Sequence, residues 1–280
     1  MRRQSHALVF VLLFAATPAR AQRAVDPSLW RPALDGYGIF SVERAETAPQ
    51  WTFGFSLFAD YALDPLRLAV RDGGAPVPTR QTIMDHQLAL DLGVVLGVTD
   101  WLELAIDLPL SVEHYTDAYG RYGSSGDPML QRTGFYAAPP YTNVPPPTAA
   151  PLDGRAGFKV RLLRRHGFGL GAAALVTLPF GNDTAFLGEG APSFRPTLIA
   201  DFTRGPFSVA VNVGAIVRRE ARVLDPYDVA ANVARPRVLL DVGDELSWSA
   251  GVAWRFSRHA AAAVTAYGLV PVVHGASAPG

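Results

Sequence analysis

Gln87-Leu88-Ala89-Leu90-Asp91-Leu92-Gly93-Val94-Val95-Leu96-Gly97-Val98 is the stretch that decides the fold of this 280-residue chain. Large apolar residues stand at 88, 90, 92, 94, 96 and 98, with Gln87, Ala89, Asp91, Gly93, Val95 and Gly97 between them. A period of two is the signature of a strand with one greasy face. Thr99-Asp100 interrupts the run. Alternation then resumes with Leu102, Leu104, Ile106, Leu108 and Leu110 against Glu103, Ala105, Asp107, Pro109 and Ser111. Two such runs across so short a break predict a β-hairpin.

Helices fail on magnitude and on spacing. In a membrane-spanning helix, Asp91, Asp100, Glu103 and Asp107 would each cost about 2.5–3.5 kcal/mol near the bilayer centre. In strands, Asp91, Glu103 and Asp107 fall on the face away from the apolar row. A soluble amphipathic helix would space its apolar residues by three and four, not two.

The same pattern recurs outward from this hairpin. Trp51, Phe53, Phe55 and Leu57 alternate with Thr52, Gly54, Ser56 and Phe58. Ala156, Phe158, Val160 and Leu162 alternate with Gly157, Lys159, Arg161 and Leu163. Further runs start at Phe168, Phe194, Phe207 and Leu246, and the Ala-rich stretch from His259 to Leu269 has no clear facing. Strands of about ten to twelve residues match the 9–11 that a tilted membrane strand needs and exceed the usual soluble length. The less apolar face is rich in Gly, Ala, Ser and isolated charges, as a barrel lumen is. Connections alternate in length. Thr99-Asp100, Arg164–Gly167, Thr203–Pro206 and Ser257-Arg258 are short; about Ala62–Thr82, Glu113–Gly154, Pro179–Ser193 and Arg218–Asp244 are long. Short periplasmic turns and long external loops are the asymmetry of outer-membrane barrels. Trp51, Tyr61, Trp101, Phe168, Phe207, Trp254 and Phe256 sit near strand ends, as girdle aromatics do. The predicted fold class is therefore all-β, an antiparallel transmembrane β-barrel with about 9–10 visible strands.

The N-terminus adds export. A basic start (Arg2, Arg3) precedes the apolar run Ala7–Ala16, then Thr17-Pro18 and the small residues of Ala19-Arg20-Ala21. This is a signal-peptide pattern with cleavage after Ala21. The chain divides into a signal peptide (1–21), an N-terminal segment (22–49) read as a cap or first strand, a barrel (50–269) and a tail (270–280). Counting from Trp51 gives nine strands, whereas single-chain bacterial barrels have even numbers. Tyr37–Val42 is either a tenth strand or a periplasmic cap. An open edge in lipid leaves backbone groups unpaired, so the last strand is expected to pair with the Tyr37 segment unless closing strands are missing.

Composition excludes several functions. There are no cysteines, so disulfides, thiol redox chemistry and zinc knuckles are absent. Acidic and basic residues balance at 25 each, leaving no basic field for nucleic acid. Lys159 is the sole lysine. His86, His114, His166, His259 and His274 show no metal-ligand spacing, and no Gly-x-Ser-x-Gly elbow, Walker or dinucleotide motif occurs. No enzyme activity, cofactor or metal is expected.

Several short motifs resemble one family. They include Leu34-Asp35-Gly36-Tyr37-Gly38-Ile39-Phe40-Ser41-Val42-Glu43, Phe55–Leu66, Ala105–Leu110, Lys159–Leu163, Thr177–Gly181, Phe186–Glu189 and Val242–Leu246. In order, they resemble the barrel region of OmpA-family outer-membrane proteins of myxobacterial type, over about Trp30–Leu269. That resemblance implies location and architecture and brings no catalytic residues. Such proteins usually continue into a peptidoglycan-binding domain; this sequence shows no counterpart, so peptidoglycan contact is not implied.

The site expectations are two. The predicted lumen face collects Asp60, Asp91, Glu103, Asp107, Lys159, Arg161, Arg195, Asp201 and Arg255. Charges facing one another there would pair in a structural role, or tune ion selectivity in a wider pore. The loop aromatics Tyr115, Tyr119, Tyr122, Tyr136 and Tyr141 form a candidate binding surface for glycans, phage or partner proteins. The expected function is a structural or scaffold barrel of the outer membrane with weak pore activity. The alternatives are a channel for small solutes and a soluble periplasmic β-sandwich. Expected partners are outer-membrane lipid and the envelope's assembly and chaperone machinery.

Overall fold

The computed structural model describes residues 30–72, 75–115, 149–181, 187–224, 234–235, 238–257 and 260–272. Alternating apolar runs become strands: β1 (Phe53–Asp72), β2 (Ala75–Thr99), β3 (Leu102–Tyr115), β5 (Gly154–Arg165), β6 (Phe168–Leu178), β7 (Ser193–Arg204), β8 (Phe207–Arg218), β11 (Glu245–Arg255) and β12 (Ala261–Pro271). They pair in that order, each antiparallel to the next, in one curled sheet. A short β4 (Ala150–Pro151) flanks β3, and β9 (Ala221–Leu224) with β10 (Val238–Val242) makes a separate hairpin. The architecture is all-β and barrel-like.

The hairpin at Thr99-Asp100 has the register its alternation requires. Leu92 faces Leu108, Val94 faces Ile106 and Leu96 faces Leu104. Another short turn joins β5 to β6 through His166 and Gly167, both at positive φ (50° and 85°). Two left-handed residues in succession make the turn that matches strand twist. A Cβ on Gly167 would sit 2.3 Å from the Thr203 carbonyl oxygen, so glycine is needed there for space as well. One expectation is corrected: Ala62–Thr82 is not a long loop. β1 and β2 run on through it to Asp72 and Ala75, with register shifts between Leu63 and Leu66 and between Ala69 and Arg71. Polar and proline residues there obscure the alternation, but the ladder carries past them.

The two faces differ in kind. Outward rows carry Phe55 at 75% exposure, Leu57 at 70% and Leu198 at 66%. Inward, Glu103 and Lys159 are 0% exposed. A β-sandwich would bury the apolar rows between two sheets. Here those rows are exposed and the charges are buried, which overturns the soluble-sandwich alternative.

What buries the charges is the N-terminal segment. Residues 30–50 cross the inner face without joining the sheet. Leu34 and Ala48 pack on Val95, Ala105 and Leu175. Ala45 packs on Ala173 and Ile199, while Ile39 and Val42 pack on Ala210, Ala253 and Ala263. The small inner residues make room for this chain. A Cβ on Gly97 would lie 2.0 Å from the Pro49 carbonyl oxygen. Tyr37–Val42 is therefore not a tenth strand: its one bridge, Ile39 with Val42, is internal. Nor does it pair with β12. The outer edges of β1 and β12 have no strand partner among the described residues.

Candidate functional site

The site is the interior of the curled sheet, where wall side chains meet the N-terminal segment. Period two along β3 and β5 aims Glu103, Asp107, Arg155 and Lys159 inward, and neighbouring strands bring them side by side. Glu103 pairs in register with Lys159, and Asp107 with Arg155. Lys159 Nζ contacts Asp35 Oδ2 directly and lies 3.1 Å from Glu103 Oε1 and 3.4 Å from Glu43 Oε2. One fully buried ammonium thus gathers two carboxylates from the inner segment and one from the wall.

Further pairs extend the cluster on both sides. Arg155 is bidentate to Asp107 Oδ2, at 2.9 Å from Nε and 2.7 Å from Nη2. Arg31 lies 3.7 Å from Asp91. Toward the short turns, Asp201 sits between Arg44 at 3.6 Å and Arg164 at 3.3 Å. Toward the long connections, Arg218 contacts both Glu189 and Glu245. Unpaired, such charges would cost several kcal/mol each to desolvate, so their positions specify how the inner segment must lie.

The inner segment has almost no secondary structure of its own, so the wall must satisfy its backbone. Ala48 N–H donates to Glu103 Oε2 at 2.7 Å, and Ala45 N–H to Asp201 Oδ1 at 3.1 Å. Asn212 accepts from Glu43 N–H at 2.8 Å and donates to the Glu43 carbonyl at 2.9 Å, imitating a strand neighbour. Arg155 donates to the Pro32 carbonyl at 3.0 Å. Within the segment, Leu34 N–H donates to Glu43 Oε1 at 2.7 Å. Burial pushes the Glu43 carboxyl above the ordinary carboxylate range, against the pull of Lys159 and with Asp35 adding to the rise.

Of the residues expected in the lumen, Asp91, Glu103, Asp107, Lys159 and Asp201 are buried on the inner side. Asp60 is half-buried on β1. Arg161 donates to the Asp100 carbonyl at the turn, away from the cluster. Arg195 is half-buried and lines an interior cavity. Arg255 is exposed at the end of β11, so it stands apart from the buried charges. Tyr119, Tyr122, Tyr136 and Tyr141 lie outside the described residues; Tyr115 ends β3, its side chain likewise outside.

Sequence reading missed Arg31, Asp35, Glu43, Arg44, Arg155 and Asn212. Arg155 was legible: it shares the parity of Lys159 once β5 is allowed to start at Gly154. Asn212 shares the inward parity of β8 opposite Val211 and Val213, but alternation does not reveal its partner. Residues 31–44 carry no period, so nothing local shows that they fold inside.

No family model and no curated protein matches the chain. Among solved structures it is similar to an outer membrane channel from Pseudomonas putida F1, with a TM-score of 0.49 and 15% identity. The alignment covers 80% of this chain and 74% of that one.

Proposed function

We propose that this chain is an outer-membrane β-barrel protein with a structural role, whose lumen is filled by residues 30–50 and which conducts weakly. One observation carries the reading: the sheet is inside-out, exposing Leu, Phe, Val and Trp while burying Lys, Arg, Asp and Glu. A bilayer stabilises that outer face at roughly 25 cal/mol per Å² of apolar surface covered, and water does not. The order of OmpA-family motifs supports the same location. Such a barrel reaches the outer membrane through envelope chaperones and the assembly machinery, and its β1 and β12 edges must be covered in lipid, where unpaired backbone groups cost several kcal/mol each. Cell fractionation tests the reading. The protein is expected in the outer-membrane pellet, extractable only with detergent; release by osmotic shock would sink it.

A second reading, a solute channel, has its own support. The inner segment is held by side chains and not by a β-ladder, so it can leave without breaking the sheet. Deleting residues 30–49 is expected to turn small or undetectable conductance in planar bilayers into discrete, larger steps. Equal conductance with and without the segment would argue against both the filled lumen and the channel.

A further inference from the structure

Most inner charges have an ion-pair partner in the N-terminal segment or on the wall, but among the described residues one inner cation does not. Arg195, on β7, makes no hydrogen bond or ion pair with any described residue. It lines a cavity of about 100 Å³ that also includes Arg31, Arg155, Ser41, Glu43 and Asn212. Arg155 is engaged by Asp107, Arg31 lies near Asp91, and Glu43, the single carboxylate among the described lining residues, is held by Lys159 and Leu34 N–H. The walls therefore carry an excess of positive charge. A second observation points the same way: Ser41 Oγ is buried at this cavity with no hydrogen-bond partner. A buried hydroxyl left unpaired costs about 1–3 kcal/mol, which a ligand accepting its proton would offset. The volume is that of about three waters, enough for one compact group with several oxygens.

We propose that this cavity binds a small oxyanion, a carboxylate or phosphate group, held by the Arg195 guanidinium and the Ser41 hydroxyl. Guanidinium matches such groups through paired N–H donors. Arg31 and Arg155 add to the attracting field while staying with their own carboxylates. The site forms between the inner segment and the wall, and it stands whether or not the barrel conducts.

The test uses the full-length protein in detergent, with inorganic phosphate and acetate as probes at constant ionic strength and chloride as the reference. Phosphate or acetate is expected to raise the thermal midpoint by about 2 °C or more over chloride, as a ligand bound only by the folded state does. R195Q should abolish that shift. S41A should weaken the affinity roughly threefold to tenfold, the worth of one hydrogen bond. R195K retains the charge and should keep a reduced shift, which covers the case in which R195Q does not fold. No shift over chloride in the unmodified protein, or an equal shift in R195Q, overturns the proposal. A response to phosphate alone or acetate alone decides which oxyanion the cavity takes.

Discussion

The inner segment meets the wall in two different ways. Against β3 and β5, Asp35 and Glu43 close on Lys159, and Glu103 caps Ala48 N–H. Against β8, β11 and β12, Ile39 and Val42 rest on Ala210, Ala253 and Ala263. The first contact is directional and costly to break; the apolar part of the second is shape-tolerant and weaker. The segment is therefore tethered by charge at one wall and held at the other by apolar packing and the Asn212 hydrogen bonds. Burial of apolar groups alone could not decide which way an irregular chain lies across a curled sheet, whereas an ammonium facing three carboxylates can.

The sharpest way to break this contrast is K159M. Removing the cation leaves three buried carboxylates without it, and losing one member of a buried pair costs about 3–5 kcal/mol. Arg44 is buried in the folded protein. Trypsin cleavage after Arg44 should accelerate on the order of a hundredfold or more, because cleavage follows the population of the open form. An unchanged rate would show that the charge cluster does not hold the segment. N212A comes next. It removes both hydrogen bonds to Glu43's backbone and should weaken docking by about 2 kcal/mol, read as cleavage roughly thirtyfold faster by the same assay. V42A removes two buried methyls on the packed side, about 1.5 kcal/mol, and a loss as large as that of K159M would erase the contrast. R222A is the calibrating case. Arg222 pairs with Glu220 at 2.5 Å and lies near Asp241, but on an exposed hairpin. Exposed pairs contribute little, so cleavage after Arg44 and the urea midpoint should both stay where they are.

Much of the sheet was legible because strand facing is a local property. Leu92, Leu108, Phe158 and Val211 lie outward where their alternation puts them, and the turns at Thr99-Asp100 and His166-Gly167 follow from local chemistry. The β1–β2 extension was not legible. Its pairing of Arg67 with Thr82 and Leu68 with Gln81 depends on a neighbour strand already aligned from Phe53 and Leu96. The site divides the same way. Inward parity singled out Glu103, Asp107, Lys159 and Asp201 from the sequence, but their partners Asp35, Glu43, Arg44 and Arg31 lie in a stretch without period.

Residue order by itself determined that this chain makes antiparallel strands with one apolar and one polar face, because a side chain's face depends only on its parity along the strand. Only the tertiary structure decided what fills the polar side. Lys159 and Asp35 are brought together by sheet curvature and by the path of an irregular segment, and that path depends on long-range electrostatics and steric room that no local pattern encodes.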